Sequence, residues 1–206
     1  MYQPAHFQER RVEVLHDLMQ AYPFATLVTN GPEGITANHL PMMLHPEISE
    51  QGTLRGHIAR ANPHWKDHDP ASEVLAIFQG PHHYISPGWY PTKKEHGKAV
   101  PTWNYAVVHA HGPMKIIEDR DWLFEMVDSL TTHHEAGQKQ PWAVNDAPED
   151  YLNAMLKAIV GLEIPISRLE GKWKVSQNRS EADREGVIQG LEDEGTDIAN
   201  ALASST

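Results

Sequence analysis

Short strand-like runs separated by turn signals fill residues 24–118, and they constrain the fold more than any other feature of the chain. Asn30-Gly31 followed by Gly34 is typical of a tight hairpin between two such runs. Residues 73–79 are nearly all apolar and predict a strand buried on both faces. Helices do not alternate with the runs, which argues against a parallel α/β sheet. The pattern predicts a mainly β, α+β protein whose strands form a closed or partly closed barrel.

Amphipathic segments predict helices that flank the barrel. Residues 8–22 carry apolar side chains at helical spacing. Asp119 is placed to cap a second helix, and a third is expected to begin at Pro148. The inner face of the third helix is predicted to carry Tyr151, Leu152, Met155, Leu156 and Ile159.

The chain is expected to end in a separate helical segment. From Ser180 the sequence becomes acidic and rich in small residues, and Ser180 with Asp183 resembles a capping box. We therefore predict a barrel domain with inserted helices over residues 1–176. An acidic helical appendage is predicted over residues 177–206.

Composition limits the partners that the protein can have. The chain carries 28 acidic and 17 basic residues, a formal net charge of −11, and no cysteine. Disulfides and thiolate catalysis are therefore excluded. The N-terminus lacks a signal-peptide pattern and no apolar run is long enough to span a membrane, so we expect a soluble, cytoplasmic protein. Strong DNA contact is disfavoured, because DNA binders usually present a basic face.

Three strings rich in proline, histidine and aromatic residues lie at predicted strand ends. They cover residues 56–65, 79–87 and 100–105. Packing alone rarely requires so many flat rings at strand ends, so the strings predict a pocket for a planar, partly anionic ligand. Arg60 is placed to bind a phosphate. Asn62 and Pro63 equally begin a helix, and a helix N-terminus also binds anions.

Two further patterns leave alternatives open. Alternation along the strand 101–111 places Trp103 and Tyr105 on one face and Asn104 on the other, which fits either a ligand wall or cross-strand packing. The lysine-rich residues 172–179 form either a second phosphate site or a basic strand that leads into a capped helix. Considered by itself, this second string favours the surface strand slightly.

The chain contains 14 histidines, which raises the question of a metal or haem site. The zinc pattern His-Glu-x-x-His is absent, and the loose spacing of the histidines leads us to expect no metal site. Haem remains an alternative ligand, with His82, His83, His109 or His111 as the axial residue.

These strings resemble the PaiB-like family of FMN-binding negative transcriptional regulators. The matching residues occur in order over nearly the whole chain, at 1–7, 38–41, 56–65, 79–90, 100–105 and 174–178. The resemblance implies an FMN-binding split β-barrel that forms a homodimer with the flavin at the subunit interface. His83 departs from the family pattern, which has a small residue at this position.

The resemblance also implies which residues bind FMN. The phosphate and ribityl chain are expected near His57, Ala59, Arg60 and Asn62. The isoalloxazine ring is expected near Asn38, His39, Leu40, Pro41, Trp103, Asn104 and Tyr105. Ser176 and Gln177 are expected to support the site or to reach the partner's flavin.

The implied function is that of a negative transcriptional regulator or flavin-based sensor. The acidic charge and the absence of a helix-turn-helix pattern predict that such regulation is indirect. Alternatives are an FMN-dependent oxidoreductase, in which the cofactor carries the chemistry, or a haem-binding or haem-degrading protein.

Overall fold

A computed structural model describes residues 1–196. Its strands are β1 (Gln8–Glu9), β2 (Phe24–Gly31), β3 (Gly34–Pro41), β4 (Met43–His45), β5 (Thr53–Ala59), β6 (Val74–Ile85), β7 (Thr102–Gly112), β8 (Lys115–Ile117), β9 (Ile159–Pro165) and β10 (Arg168–Lys174). Its helices are α1 (Val12–Ala21), α2 (His64–Asp67), α3 (Lys93–His96), α4 (Arg120–Glu135), α5 (Glu149–Lys157) and α6 (Glu181–Asp193), with short 3-10 turns at Ala5–Phe7, Pro87–Trp89 and Val144–Asp146. No helix in this part of the chain is long and apolar enough to cross a membrane.

The chain forms two compact units. Unit 1 comprises Met1–Tyr22, Phe78–His109 and the segment from Glu170 onward. Unit 2 comprises Pro23–Ile77 and Ala110–Leu169. Strands β6, β7 and β10 each begin in one unit and end in the other.

Unit 2 contains the predicted hairpin and a second antiparallel sheet. In the hairpin, Gly31 of β2 lies opposite Gly34 of β3, and Gly34 has a φ of 99° that glycine adopts without strain. The first residues of β6 pair with β2, so that Ala76 lies opposite Leu27. The second sheet has the order β4-β5-β9-β8, and β5 pairs with β9 along its whole length.

Unit 1 contains strands in the order β1-β10-β7-β6 and the helices α1, α3 and α6. Leu15 of α1 packs directly on Gly171 of β10, where a Cβ atom would lie 2.1 Å from a Leu15 methyl carbon. A second core joins Ile85 and Tyr90 to Val187 and Leu191 of α6. The C-terminal helix therefore shares a core with the strands of this unit.

The predicted starts of three helices are confirmed, two of them by a capping side chain. The Asp119 side chain accepts a hydrogen bond from the Trp122 amide at 2.9 Å, and α4 begins at the next residue. Helix α5 begins directly after Pro148. Ser180 accepts from the Asp183 amide at 3.3 Å and caps α6. The division of the chain into domains at residue 176 stays a prediction.

The predicted start of the first helix is wrong. The helix begins at Val12 and not at residue 8, because Gln8 and Glu9 pair with Lys172 and Gly171 of β10. A strand pairing that is distant in sequence therefore overrides the local helical spacing.

Two predictions of burial are also wrong. Strand β6 alternates between buried and half-buried residues at its start, with Val74 and Ala76 buried and Leu75 and Ile77 only half-buried. On α5, the predicted inner-face residues Tyr151 and Met155 are 57% and 44% exposed. Periodicity locates an apolar face but does not show how much of that face its neighbours cover.

Candidate functional site

A cluster of polar side chains in unit 2 connects two strings that are distant in sequence. The Asn38 side-chain oxygen on β3 accepts a hydrogen bond from the Asn62 amide at 2.8 Å. The Asn38 side-chain amide lies 3.0 Å from Nδ1 of His64, so this nitrogen acts as the acceptor. Asn62 also accepts from the His64 backbone amide at 3.1 Å. The structure thus brings Asn38 and Asn62 together, with His64 as a partner that sequence reasoning did not identify.

Arg60 lies at the end of β5 and is already engaged. Its guanidinium donates to the carbonyl oxygens of Lys157 at 2.8 Å and Ile159 at 3.2 Å. It also forms an ion pair with Glu118 and lies 5.9 Å from the Trp65 ring centroid. A phosphate that binds the same guanidinium therefore competes with a carboxylate, and no sequence signal indicated this pairing.

His57 occupies a shielded position in β5 opposite Gly161 of β9. Its Nδ1 atom is buried and has no hydrogen-bond partner within residues 1–196. Burial lowers the pKa of His57, which keeps the ring neutral near pH 7. A neutral imidazole with a free buried nitrogen is suited to bind a polar ligand group.

Because the pKa of His57 is lowered on folding, we expect the protein to lose stability as the pH falls. In the unfolded chain His57 takes up a proton near pH 6.5, whereas burial makes folded His57 resist protonation. The free energy of unfolding is therefore unaffected by this histidine above about pH 6.5 and falls as the pH drops below that value. Urea unfolding at a series of pH values measures the effect, which one proton limits to about 1.4 kcal/mol per pH unit. His57→Gln should flatten the slope, whereas His134→Gln on an exposed part of α4 should not. An unchanged slope in His57→Gln would contradict the prediction.

The remaining predicted residues of unit 2 differ in exposure. His39 is exposed, and its ring lies 6.4 Å from that of Phe24. Ala59 is exposed at the end of β5, and Pro41 is half-buried. Leu40 is only 5% exposed and packs in the core, so its side chain supports β3 from within.

The predicted aromatic wall lies on β7 in unit 1. Trp103 is 52% exposed, and its ring centroid lies 5.7 Å from that of His82 and 6.4 Å from that of Tyr84. Tyr105 is half-buried, and its ring centroid lies 5.3 Å from the Lys172 ammonium. These rings form an accessible aromatic surface, as the alternation of the strand predicts.

Asn104 is directed away from this surface and holds the loop after β10. It is 1% exposed, and its side-chain amide donates to the Ser176 hydroxyl at 3.0 Å. Ser176 is buried and has a φ of 67°, a left-handed conformation that is unusual for serine. Gln177 accepts from the Val175 amide at 2.8 Å and donates to the Trp173 carbonyl. Contact of these three residues with a flavin stays a prediction.

Ser176→Ala is expected to destabilise the protein by about 1–3 kcal/mol, because the buried Asn104 amide loses its partner. Urea unfolding of Asn104→Ala, Ser176→Ala and the double variant measures the coupling between the two side chains. The double variant should cost less than the sum of the single changes. Strict additivity would show that the hydrogen bond does not couple them.

The predicted site residues thus form one group in each unit. Unit 2 contains those of β3, β5 and the turn after β5, and unit 1 contains those of β7 and of the loop after β10. Within unit 2, the amides of Asn38 and Asn62 meet. Within unit 1, Asn104 meets Ser176 on the buried side of the rings.

Solved structures with a similar fold define the fold class of the protein. The FAD and haem binding protein of Mycobacterium smegmatis aligns with a TM-score of 0.60 at 16% identity, over 89% of this chain and 80% of that one. A conserved hypothetical protein of Mycobacterium tuberculosis aligns with a TM-score of 0.60 at 14% identity, over 88% and 95% of the two chains. The predicted class is confirmed: the protein is an α+β split barrel of antiparallel sheets with flanking helices.

Sequence comparison then identifies the family. The family described as "Putative FMN-binding domain" matches residues 1–168. The Bacillus subtilis "Protease synthase and sporulation protein PAI 2" is 33% identical over 98% of this chain and 95% of its own length. An uncharacterized protein of Emericella nidulans is 36% identical over 99% of this chain and 95% of its own. The chain belongs to this FMN-binding family, which confirms the resemblance to PaiB-like proteins and FMN as the cofactor.

The side chains of the candidate site carry chemical groups that suit the phosphate, ribityl chain and ring of FMN. The unpartnered buried nitrogen of His57 and the amides of Asn38 and Asn62 offer hydrogen bonds to a ribityl chain or ring edge. Arg60 offers a guanidinium to a phosphate, subject to competition from Glu118. The half-exposed rings of β7 offer flat apolar surface.

Proposed function

We propose that the protein is an FMN-binding regulator or sensor that acts as a homodimer, with FMN at the subunit interface, and that influences transcription indirectly. The proposal combines the FMN-binding family with the distribution of apolar, polar and charged side chains described above.

The observation that carries the proposal is a sheet face in unit 2, here called the open face, whose apolar side chains are exposed in the structure of residues 1–196. Phe24 and Ile35 are 66% and 80% exposed on it, and the half-buried Val28, Leu75 and Ile77 lie beside them. Several exposed apolar side chains on one sheet face favour an interaction site, and here they share the face with the polar Thr26, Asn30 and His39. A second copy related by two-fold symmetry would cover it with the same face of its own.

The register places a predicted cofactor residue on the open face. His39 lies opposite Thr26, and Thr26 lies opposite Ile77, so the three side chains share one side of the sheet. A flavin that contacts His39 would therefore lie where the second subunit docks. This supports a cofactor site that both subunits share.

The proposal assigns each candidate residue a contact with FMN. His57, Arg60 and Asn62 would bind the phosphate and ribityl chain, with Asn38 bonded beside Asn62. His39 projects from the opposite face of the edge strand β3 and would contact the ring where the ring passes that edge. In unit 1, Trp103 and Tyr105 offer flat surfaces of the kind on which a flavin ring stacks, and the Asn104–Ser176 hydrogen bond holds the loop that carries Gln177. Bound FMN supplies hydride or single-electron transfer at its isoalloxazine ring.

The regulatory part of the proposal draws on the relative named "Protease synthase and sporulation protein PAI 2", because sporulation is a regulated process. Direct DNA contact is disfavoured by the excess of 28 acidic over 17 basic residues. A change in flavin occupancy or redox state that alters a partner protein fits this charge better.

An absorbance spectrum of the purified protein with and without added FMN tests the cofactor, and light scattering tests the dimer. Flavin bands near ~450 and ~370 nm and a dimeric mass are the expected results. A monomer that binds FMN tightly would contradict the shared site. A Soret band in place of flavin bands would favour haem.

An FMN-dependent oxidoreductase is the second candidate function. It is favoured by the half-exposed Trp103 on β7, which offers flat apolar surface to a planar molecule. Steady consumption of NADH or NADPH by the FMN-loaded protein would support the oxidoreductase, and its absence would support the regulator.

A further inference from the structure

Helices α4 and α5 of unit 2, with the turn that precedes α5, line a surface cavity of about 360 Å³. Its volume falls within the range of about 300–1,000 Å³ that is usual for small-molecule pockets. None of the lining residues belongs to the segments that the family resemblance assigns to FMN. The lining residues are Arg120, Phe124, Asn145, Ala147, Glu149 and Leu152.

The two helices contribute to this cavity in the same way. Arg120 is the first residue of α4, and Phe124 lies one turn further along on the same side of the helix. Glu149 is the first residue of α5, and Leu152 follows three residues later. Each helix therefore provides one charged and one apolar residue, so the cavity combines a cation, a carboxylate and apolar surface.

The Arg120 guanidinium keeps two N–H groups without a partner among residues 1–196. Its Nε and Nη2 atoms donate to the Asn153 side-chain oxygen at 3.1 and 2.8 Å, and Nη1 donates to the Asp121 carboxylate at 2.9 Å. The ion pair with Asp121 is weak, because both side chains are largely exposed. Since an arginine carries five N–H groups, one remains on each terminal nitrogen. Such groups form charge-assisted hydrogen bonds with carboxylate oxygens.

Glu149 supplies the opposite charge. The residue is exposed, and its carboxylate forms no hydrogen bond or ion pair within the described part of the chain. Asn145, in the turn before α5, adds a side-chain amide that can donate and accept. A ligand that uses the whole lining therefore carries a negative group for Arg120 and a positive group for Glu149. The rest of that ligand is apolar, to match Phe124 and Leu152.

We propose that this cavity binds a free α-amino acid with an apolar side chain. The carboxylate of the amino acid binds Arg120, its ammonium group binds Glu149, and its side chain packs against Phe124 and Leu152. The role of the amino acid as the effector of a flavin-based sensor rests on the proposed function, whereas the binding site itself does not.

The charges of the lining distinguish this cavity from a site for the FMN phosphate. The carboxylate of Glu149 repels a phosphate but attracts the ammonium group of a zwitterion. Of the six lining residues, only Arg120 also lines the neighbouring cavity of about 120 Å³ that contains Arg60. Competition with FMN therefore shows directly whether the two cavities bind separate ligands.

Ligand-observed NMR titration of the FMN-saturated protein compares L-phenylalanine with 3-phenylpropionate, which lacks the ammonium group, and phenethylamine, which lacks the carboxylate. We expect L-phenylalanine to bind about tenfold more tightly than either, because it alone forms both charge-assisted contacts. Arg120→Gln should remove the advantage over phenethylamine, and Glu149→Gln should remove the advantage over 3-phenylpropionate. Lys139→Gln and Glu125→Gln, at exposed positions outside the cavity lining, are the matched controls and should keep both advantages.

The proposal is overturned if L-phenylalanine binds no more tightly than its analogues, or if both advantages survive in both glutamine variants. Displacement of L-phenylalanine by FMN would assign the cavity to the cofactor, which also overturns it. If Arg120→Gln does not fold, Glu149→Gln at the exposed start of α5 still tests the ammonium contact. If the wild-type protein binds no FMN, the proposed function fails, and the same titration of the flavin-free protein still tests the amino acid site.

Discussion

Phe24→Lys/Ile35→Lys is expected to produce a monomer with little affinity for FMN. In the single chain both side chains are largely exposed, at 66% and 80%, so the change should cost the folded subunit little. A two-fold dimer buries each side chain in both subunits, and burial of each contributes about 1.5 kcal/mol or more. The loss of four such side chains amounts to about 6 kcal/mol, or roughly 10⁴-fold in dimer dissociation.

Light scattering measures the mass of this variant, and flavin fluorescence measures its affinity for FMN. Tyr151→Lys and Val100→Lys replace apolar residues that are 57% and 65% exposed elsewhere, and they should remain dimeric. A dimer that survives the double change would show that the open face is not the interface. A monomer with wild-type FMN affinity would show that one subunit forms the flavin site by itself.

Gly186→Ala/Gly190→Ala is expected to destabilise unit 1 by about 2–3 kcal/mol. A Cβ atom at Gly186 would lie 2.0 Å from the Trp89 carbonyl oxygen, and one at Gly190 would lie 2.3 Å from the Trp89 ring. In a free helix each change would stabilise by about 1 kcal/mol, because glycine is a poor helix former. Overpacking against backbone and ring atoms costs more than this gain.

Whether the double alanine variant is more or less stable than the wild-type protein shows whether α6 packs into the core of unit 1. If α6 is only an appendage, the double alanine variant should be more stable in urea unfolding. If α6 is part of the core, the variant should be less stable, and protease should cleave it earlier within residues 181–193. Gly137→Ala is the control, because no atom lies within 4 Å of its added Cβ, and it should change stability by less than about 0.5 kcal/mol.

The sequence predicts those parts of the fold that local chemistry determines. The hairpin at Asn30-Gly31 and the caps at Asp119 and Ser180 are confirmed, because each rests on residues within a few positions of one another. Alternation along β7 also holds, with Trp103 exposed and Asn104 buried. Such signals require no knowledge of the rest of the chain.

Contacts between distant residues could not be predicted in this way. The pairing of Arg60 with Glu118, and that of Asn104 with Ser176, joins segments that are far apart in sequence. The same limit explains the late start of α1, which depends on pairing between Gln8 and Lys172. Glycines at 186 and 190 within a helix were a usable signal, because glycine in a helix interior is disfavoured unless close packing requires it.

The ion pair between Arg60 and Glu118 bears on how firmly the protein would retain its cofactor. In the proposed site, a phosphate that binds Arg60 would replace the carboxylate of Glu118, so that binding would exchange one anion for another. The net gain in binding free energy would be smaller than for a guanidinium without a carboxylate partner, by a modest amount because both side chains of the ion pair are partly exposed. The fraction of protein with bound FMN would then depend on the surrounding FMN concentration. Bound FMN would thus report that concentration.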